Sequence, residues 1–171
     1  IKSRLGVQIE ALIRDNLNEG DHRVISGNVL TGKKSNIDGF LGFYDSTISV
    51  LPEGGEREFL GMLKLGSSKT RYSLTNAFLG FKEKLYNFST LKNGSERYMV
   101  PINSWENVLP MDILPNSLYR AILVEDIEEM EQLGIIECDE EDFALCSFAC
   151  PSKIDLGATI RQGLDLMEKE S

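Results

Sequence analysis

Arg23-Val24-Ile25-Ser26-Gly27-Asn28-Val29-Leu30-Thr31-Gly32 decides how the first half of the chain is read. A short β-branched run meets Gly27, a turn follows, and Gly32 closes it. Glycines flanking a turn open backbone angles that other residues avoid. Residues 23–26 therefore predict a strand that stops sharply. Further on, residues 40–44 and 47–51 predict a hairpin about Asp45-Ser46. Pro52-Glu53-Gly54-Gly55 is a turn signal, and residues 59–65 predict another short strand. Upstream, Leu5, Ile9, Leu12, Ile13 and Leu17 recur every three to four positions. Residues 5–17 thus predict an amphipathic helix, with Gly20 where a stop belongs. Residues 66–98 have no clean period and read as a long connection carrying aromatic side chains.

From residue 101 the pattern becomes helical. Pro115 predicts the opening of a helix carrying Leu118, Ala121, Ile122 and Leu123. Asp126 followed by Glu129 predicts a capped start, Ile127, Met130 and Leu133 form an apolar stripe, and Gly134 ends it. Ser152 followed by Asp155 predicts a second capped start. Leu156, Ile160, Leu164 and Met167 then form one face of a helix running to about Lys169. The expected fold class is α+β, a small β-rich module followed by a small helical domain.

Charge divides the chain in the same place. Residues 1–100 hold 14 Lys/Arg and 11 Asp/Glu, whereas residues 101–171 hold 4 and 16. The second part repels phosphate backbones, and the first has no dense basic cluster, so nucleic acid is excluded as a partner. A hydrophobic content of 42% in 171 residues excludes intrinsic disorder. No apolar run approaches the roughly 20 residues of a membrane span, and the first residues show no signal-peptide pattern. A chain opening on Ile1 is expected to be part of a longer one.

The most specific chemical feature is Cys146-Ser147-Phe148-Ala149-Cys150-Pro151. It is the closing half of the bacterial iron–sulfur signature, C-x2-C-x2-C-x3-C-P. Counting back, the other two ligands should stand at Phe143 and Glu140. Phenylalanine cannot ligate iron, and a carboxylate is a poor substitute for thiolate. Cys138 lies upstream at a displaced spacing, so three thiolates remain for an electron-transfer cluster or zinc if a loop bends suitably. The alternative is that all three are small buried hydrophobes. An odd cysteine count without a secretory signal also argues against a disulfide framework. In that reducing setting the glycosylation-type triplets Asn87-Phe88-Ser89 and Asn93-Gly94-Ser95 carry no meaning.

Other constellations are weaker. His22 stands alone in an Asp21-His22-Arg23 turn. The acidic run from Glu125 to Asp142 lacks the spacing of a calcium loop and reads as a solvated face or docking surface. Gly66-Ser67-Ser68-Lys69-Thr70 lacks the glycines of a phosphate-binding loop. Nothing supports a Ser-His-Asp apparatus, and no catalytic residue is assigned. Phe78, Phe81, Tyr86, Phe88, Tyr98 and Trp105 could line a pocket for a quinone-like ligand or fill a core.

Several stretches occurring in order resemble one family. They are residues 23–32, Phe40-Leu41-Gly42-Phe43-Tyr44 with residues 47–54, Arg97-Tyr98-Met99-Val100-Pro101, Leu109-Pro110-Met111-Asp112-Ile113-Leu114-Pro115, and residues 138–153. Together they resemble the C-terminal part of the A subunit of the bacterial sodium-translocating NADH:quinone oxidoreductase. That family is similar to the flavin-binding subunit of respiratory complex I and to the C subunit of the Rnf complex.

The resemblance implies that residues 1–22 are the last helix of a missing Rossmann-like domain. Residues 23–98 would hold a β-grasp module of the SLBB type. Residues 99–171 would form a helical domain like an iron–sulfur domain that has lost its cluster, with Cys146 and Cys150 as relics. It further implies a cofactor-free subunit, peripheral on the cytoplasmic side of the bacterial inner membrane. NADH, flavins, iron–sulfur centres and ubiquinone would be used by other subunits. Its partners would be those subunits, the membrane-embedded ones above all, with ubiquinone access as a further role. Tyr98, Met99, Trp105 and Met111 are the expected partner contacts, because methionine and aromatic side chains suit such surfaces.

Overall fold

A computed structural model describes residues 1–56 and 85–170. It divides into two compact units, residues 1–93 and residues 94–171. In the first, a three-stranded antiparallel sheet has the order β2-β1-β3, with β1 at His22–Ser26, β2 at Lys33–Ser35 and β3 at Ile48–Pro52. Val24 faces Val50 and Ser35 across the two ladders. Helix α1, Ile9–Ile13, continues as a 3-10 turn over Arg14–Asn16 and is shorter than its apolar spacing predicts. Ile9, Ile13 and Val24 form one core, with Leu12, Leu17, Ile48 and Val50 packed around it. Ile9 and Ile13, from the residues 1–22 expected to close an upstream domain, share this core with the sheet. The arrangement fits an SLBB-type module.

The strands at 23–26 and 47–51 form as expected, each within a residue of its boundary. His22 is correspondingly the first residue of β1 and not a turn residue. Residues 40–44, expected as a hairpin strand, instead form an isolated bridge from Phe40 to Gln8 and then a turn. The turn forms because polar groups find closer partners than a ladder. Ser26 Oγ donates to Asp45 Oδ2 at 2.5 Å, the Gly42 amide donates to Ser26 Oγ, and the Asp45 amide donates to Gly42 O. The missed strand β2 is Lys-Lys-Ser with both lysines exposed, so it offers no alternation to detect. Charged residues suit such a strand because they discourage pairing with another chain. The expected strand at 59–65 and the loop at 66–70 lie outside the described residues.

The second unit is helical. Helix α2, Pro115–Leu123, opens on its proline as predicted. Helix α3, Ile127–Gln132, is capped by Asp126, whose side chain accepts from the Glu129 amide at 3.0 Å. Gly134, at φ 84°, ends it and leads into a 3-10 turn at Ile135–Glu137. A second 3-10 turn, Glu140–Phe143, runs into α4, Ala144–Ala149. Helix α5, Leu156–Glu170, follows. Its cap is Asp155, which accepts from the Ala158 amide at 3.1 Å. Ser152, expected in that role, is buried and donates to the Tyr98 carbonyl at 2.7 Å.

Gly32 is the tightest position in the sheet unit. A Cβ there would stand 2.4 Å from Asn28 O and 2.5 Å from Ser26 O, both backbone atoms that a rotamer change cannot move. Gly32→Ala is expected to destabilise this unit by about 1–3 kcal/mol through overpacking. Native-state hydrogen exchange checks it, with faster exchange expected at the amides of β1.

Candidate functional site: the cysteine-bearing core

The sequence before α4 folds tightly because its carboxylates cap their own backbone. Asp139 accepts from the Glu140 amide at 2.7 Å, while Asp142 accepts from the Asp139 amide at 2.9 Å. This reciprocal box directs Phe143 inward, where it is fully buried. Cys146 lies one turn later on α4 and is also fully buried, and Cys150 ends that helix. Cys138 follows the 3-10 turn at Ile135–Glu137.

All three thiols belong to one apolar core with Trp105, Ile122, Met130, Leu156 and Ile160. Cys138 Sγ donates to Gly134 O at 3.4 Å, and Cys146 Sγ donates to Trp105 O at 3.7 Å. Burial pushes the Cys138 and Cys146 thiols from 9.0 up to about 11, helped by Asp142 and Glu137 at the first and Glu106 at the second. Such groups are protonated at neutral pH, and a protonated thiol is neither a nucleophile nor a metal ligand.

These residues do not fit an iron–sulfur cluster. Phe143 fills a position where a ligand is needed. Glu140 turns away to Arg161, whose Nε donates to Glu140 Oε2 at 2.7 Å and whose Nη2 donates to Asp139 at 3.2 Å. Among the described residues no three His, Cys, Asp or Glu side chains stand close enough to hold a metal ion. In this arrangement the three thiols pack as small apolar groups.

The four expected partner contacts separate by burial. Tyr98 is 96% exposed, and the Arg97 amide donation to Ser152 O helps hold its segment in place. Met99 and Met111 are half-buried against the helical core. Trp105 is 2% exposed and rests edge-on against Tyr119, so it is a core residue and offers no surface in this chain. Of the remaining aromatics singled out, Tyr86 stacks on Phe88, and Phe78 and Phe81 lie outside the described residues. His22 borders a shallow groove with Leu12, Leu17 and Val50.

The sheet unit carries a surface that strand patterning hid. Val29 and Leu30 are exposed on one turn, and Phe40, Phe43 and Tyr44 on the next. Phe43 and Tyr44 meet edge to face at 5.1 Å. The first turn is rigid because Asn28 Oδ1 accepts from both the Leu30 and Thr31 amides. The glycines bracketing residues 27–32 and 39–42 were the available signal, since they mark turns that lift apolar side chains off the sheet.

The NQRA C-terminal domain family matches residues 1–36, so the match begins ahead of the sheet and includes α1. Over 99% of its length the chain is similar to proteins named as the A subunit of the Na(+)-translocating NADH-quinone reductase. Identity is 47% to the protein of Haemophilus influenzae strain PittEE. It is 46% to that of Pasteurella multocida strain Pm70 and 46% to that of Hahella chejuensis strain KCTC 2396. The chain spans 38% of the length of these curated relatives.

The raised thiols set a pH dependence. A thiol that folding holds protonated contributes stability fully below its unfolded value near 9.0 and loses it as pH rises through about 11. Stability against urea is expected to fall across that window, and Cys146→Ala is expected to flatten the fall. Thiol titration of the native chain at neutral pH should leave Cys146 unreacted until unfolding.

Proposed function

We propose that this chain belongs to the A-subunit family of the Na(+)-translocating NADH-quinone reductases, to whose members it is similar, and that it serves such a complex by docking and shape, with the redox chemistry held in other subunits. The observation that carries this reading is the 46–47% identity sustained over 99% of the chain to proteins named as one subunit of that reductase. Any subunit must meet its neighbours, and exposed Phe40, Phe43 and Tyr44 on turns held by hydrogen bonds have the chemistry of an interface centre. A neighbouring member of the same complex is the occupant of that surface, with Tyr98 as a second contact.

In this reading the assembled complex oxidises NADH, reduces ubiquinone and moves sodium ions across the bacterial inner membrane. NADH, flavins, iron–sulfur centres and ubiquinone belong to other subunits. The chain lies peripherally on the cytoplasmic side and helps shape quinone access. Among the described residues no helix is long and apolar enough to cross a membrane, which supports attachment through partners. The burial of Cys138 and Cys146 among apolar side chains, which raises both thiols, supports a helical unit without a redox centre.

Membrane fractionation tests the reading. A tagged protein containing this chain, made in cells that assemble the reductase, is expected to sediment with membranes and to co-purify with the other subunits. Deleting residues 94–171, or combining Phe43→Ser with Tyr44→Ser, is expected to shift it to the supernatant. Unchanged membrane retention in both variants overturns the docking role.

A further inference from the structure

We propose that Asn93 is a spontaneous modification site, converted to aspartate and isoaspartate through a succinimide formed with Gly94. The reaction needs a peptide nitrogen that can swing onto the preceding side-chain amide. Three obstacles normally prevent it: a side chain on the following residue, a hydrogen bond on the attacking amide, and a locked asparagine. None operates here. Asn93 is followed by glycine, and no other asparagine of the chain is. Both residues are exposed in irregular backbone. Neither the Asn93 side chain nor the Gly94 amide has a hydrogen-bond partner among the described residues.

Two neighbouring features favour the step. Gly94 sits at φ 128°, a region that side chains resist, so the backbone itself selects glycine at this position. A Cβ built there would lie 3.1 Å from Lys153 Cε, which puts the Lys153 side chain beside Gly94. A nearby cation favours loss of the amide proton.

The balance is simple. The Gly94 amide gives its proton to water, its nitrogen bonds to Asn93 Cγ, and the side-chain nitrogen leaves as ammonia. One water then opens the ring at either carbonyl. Opening at one side restores the peptide with an aspartate, and opening at the other carries the chain through the side-chain carbon as isoaspartate. No electrons move, and water is the only co-reactant. Either product adds one negative charge to the formal −9 of the chain.

Asn28 supplies an internal contrast. Its Oδ1 accepts from Leu30 and Thr31, and its Nδ2 donates to Thr31 Oγ1, so it is held in place and is followed by valine. Asn116 is likewise engaged with Glu106.

The full chain should be incubated natively in mildly alkaline buffer made with heavy-oxygen water, then resolved by ion exchange and mapped by peptide mass spectrometry. A more acidic form is expected to accumulate. Its heavy-oxygen label should lie at position 93, with isoaspartate in excess of aspartate, while Asn28 and Asn116 stay intact. Asn93→Gln is expected to lose the acidic form, because its imide ring closes far more slowly. Lys153→Ala is expected to slow the conversion. An acidic form that accumulates equally in Asn93→Gln overturns the proposal. So does an Asn93 that stays intact in the native chain while a urea-unfolded sample converts.

Discussion

Helix α5 passes so close to its neighbours that position 163 has no room for a side chain. A Cβ on Gly163 would stand 2.5 Å from Ile135 Cδ1 and 2.9 Å from Ile122 Cγ1. That approach brings the α5 face of Leu156 and Ile160 onto the residues it buries. It also leaves Cys138, Phe143, Cys146 and Cys150 buried in an apolar core. Each buried side chain of this size contributes roughly 1.5–3 kcal/mol when withdrawn from water. Thiols pack there as small apolar groups, and burial favours the protonated form of Cys138 and Cys146. Packing geometry and cysteine chemistry in this unit are therefore one fact.

The sheet unit obeys a different constraint. It is too small to bury all its apolar side chains, and it commits its polar groups to turn geometry. Ser26, at the end of β1, donates to Asp45 and accepts from Gly42, so one hydroxyl ties the strand to the second turn. Asn28 does the same for the first turn. This bracing leaves apolar surface in water, since Val29, Leu30, Phe40, Phe43 and Tyr44 are exposed. A rigid apolar surface loses little conformational freedom on contact, which is what a lasting interface requires.

Charge separates the two halves as clearly as structure does. The acidic helical part keeps much of its negative charge on solvent-facing positions around α3 and the Glu140–Phe143 turn. Arg161 neutralises only Asp139 and Glu140 there. Exposed ion pairs of this kind contribute little to stability. The remaining carboxylates leave a surface that repels anions.

By itself the sequence determined the fold class, the helices α2, α3 and α5, and the strands β1 and β3. These follow from local signals: apolar period, a proline at a helix start, Asp126 as cap, Gly134 as stop. It also showed that Phe143 stands where the C-x2-C-x2-C-x3-C-P spacing would place a thiolate. Only the tertiary structure decided that Trp105 is core while Tyr98 is surface, that Asp155 and not Ser152 caps α5, and that residues 40–44 turn instead of pairing. It alone placed α1 on the sheet. The reason is physical. Burial and hydrogen-bond competition depend on which groups meet from distant parts of the chain, and neither Trp105 with Cys146 nor Ser26 with Asp45 is a neighbour in sequence. Local patterning sets what each segment can become, and long-range contact selects what it does.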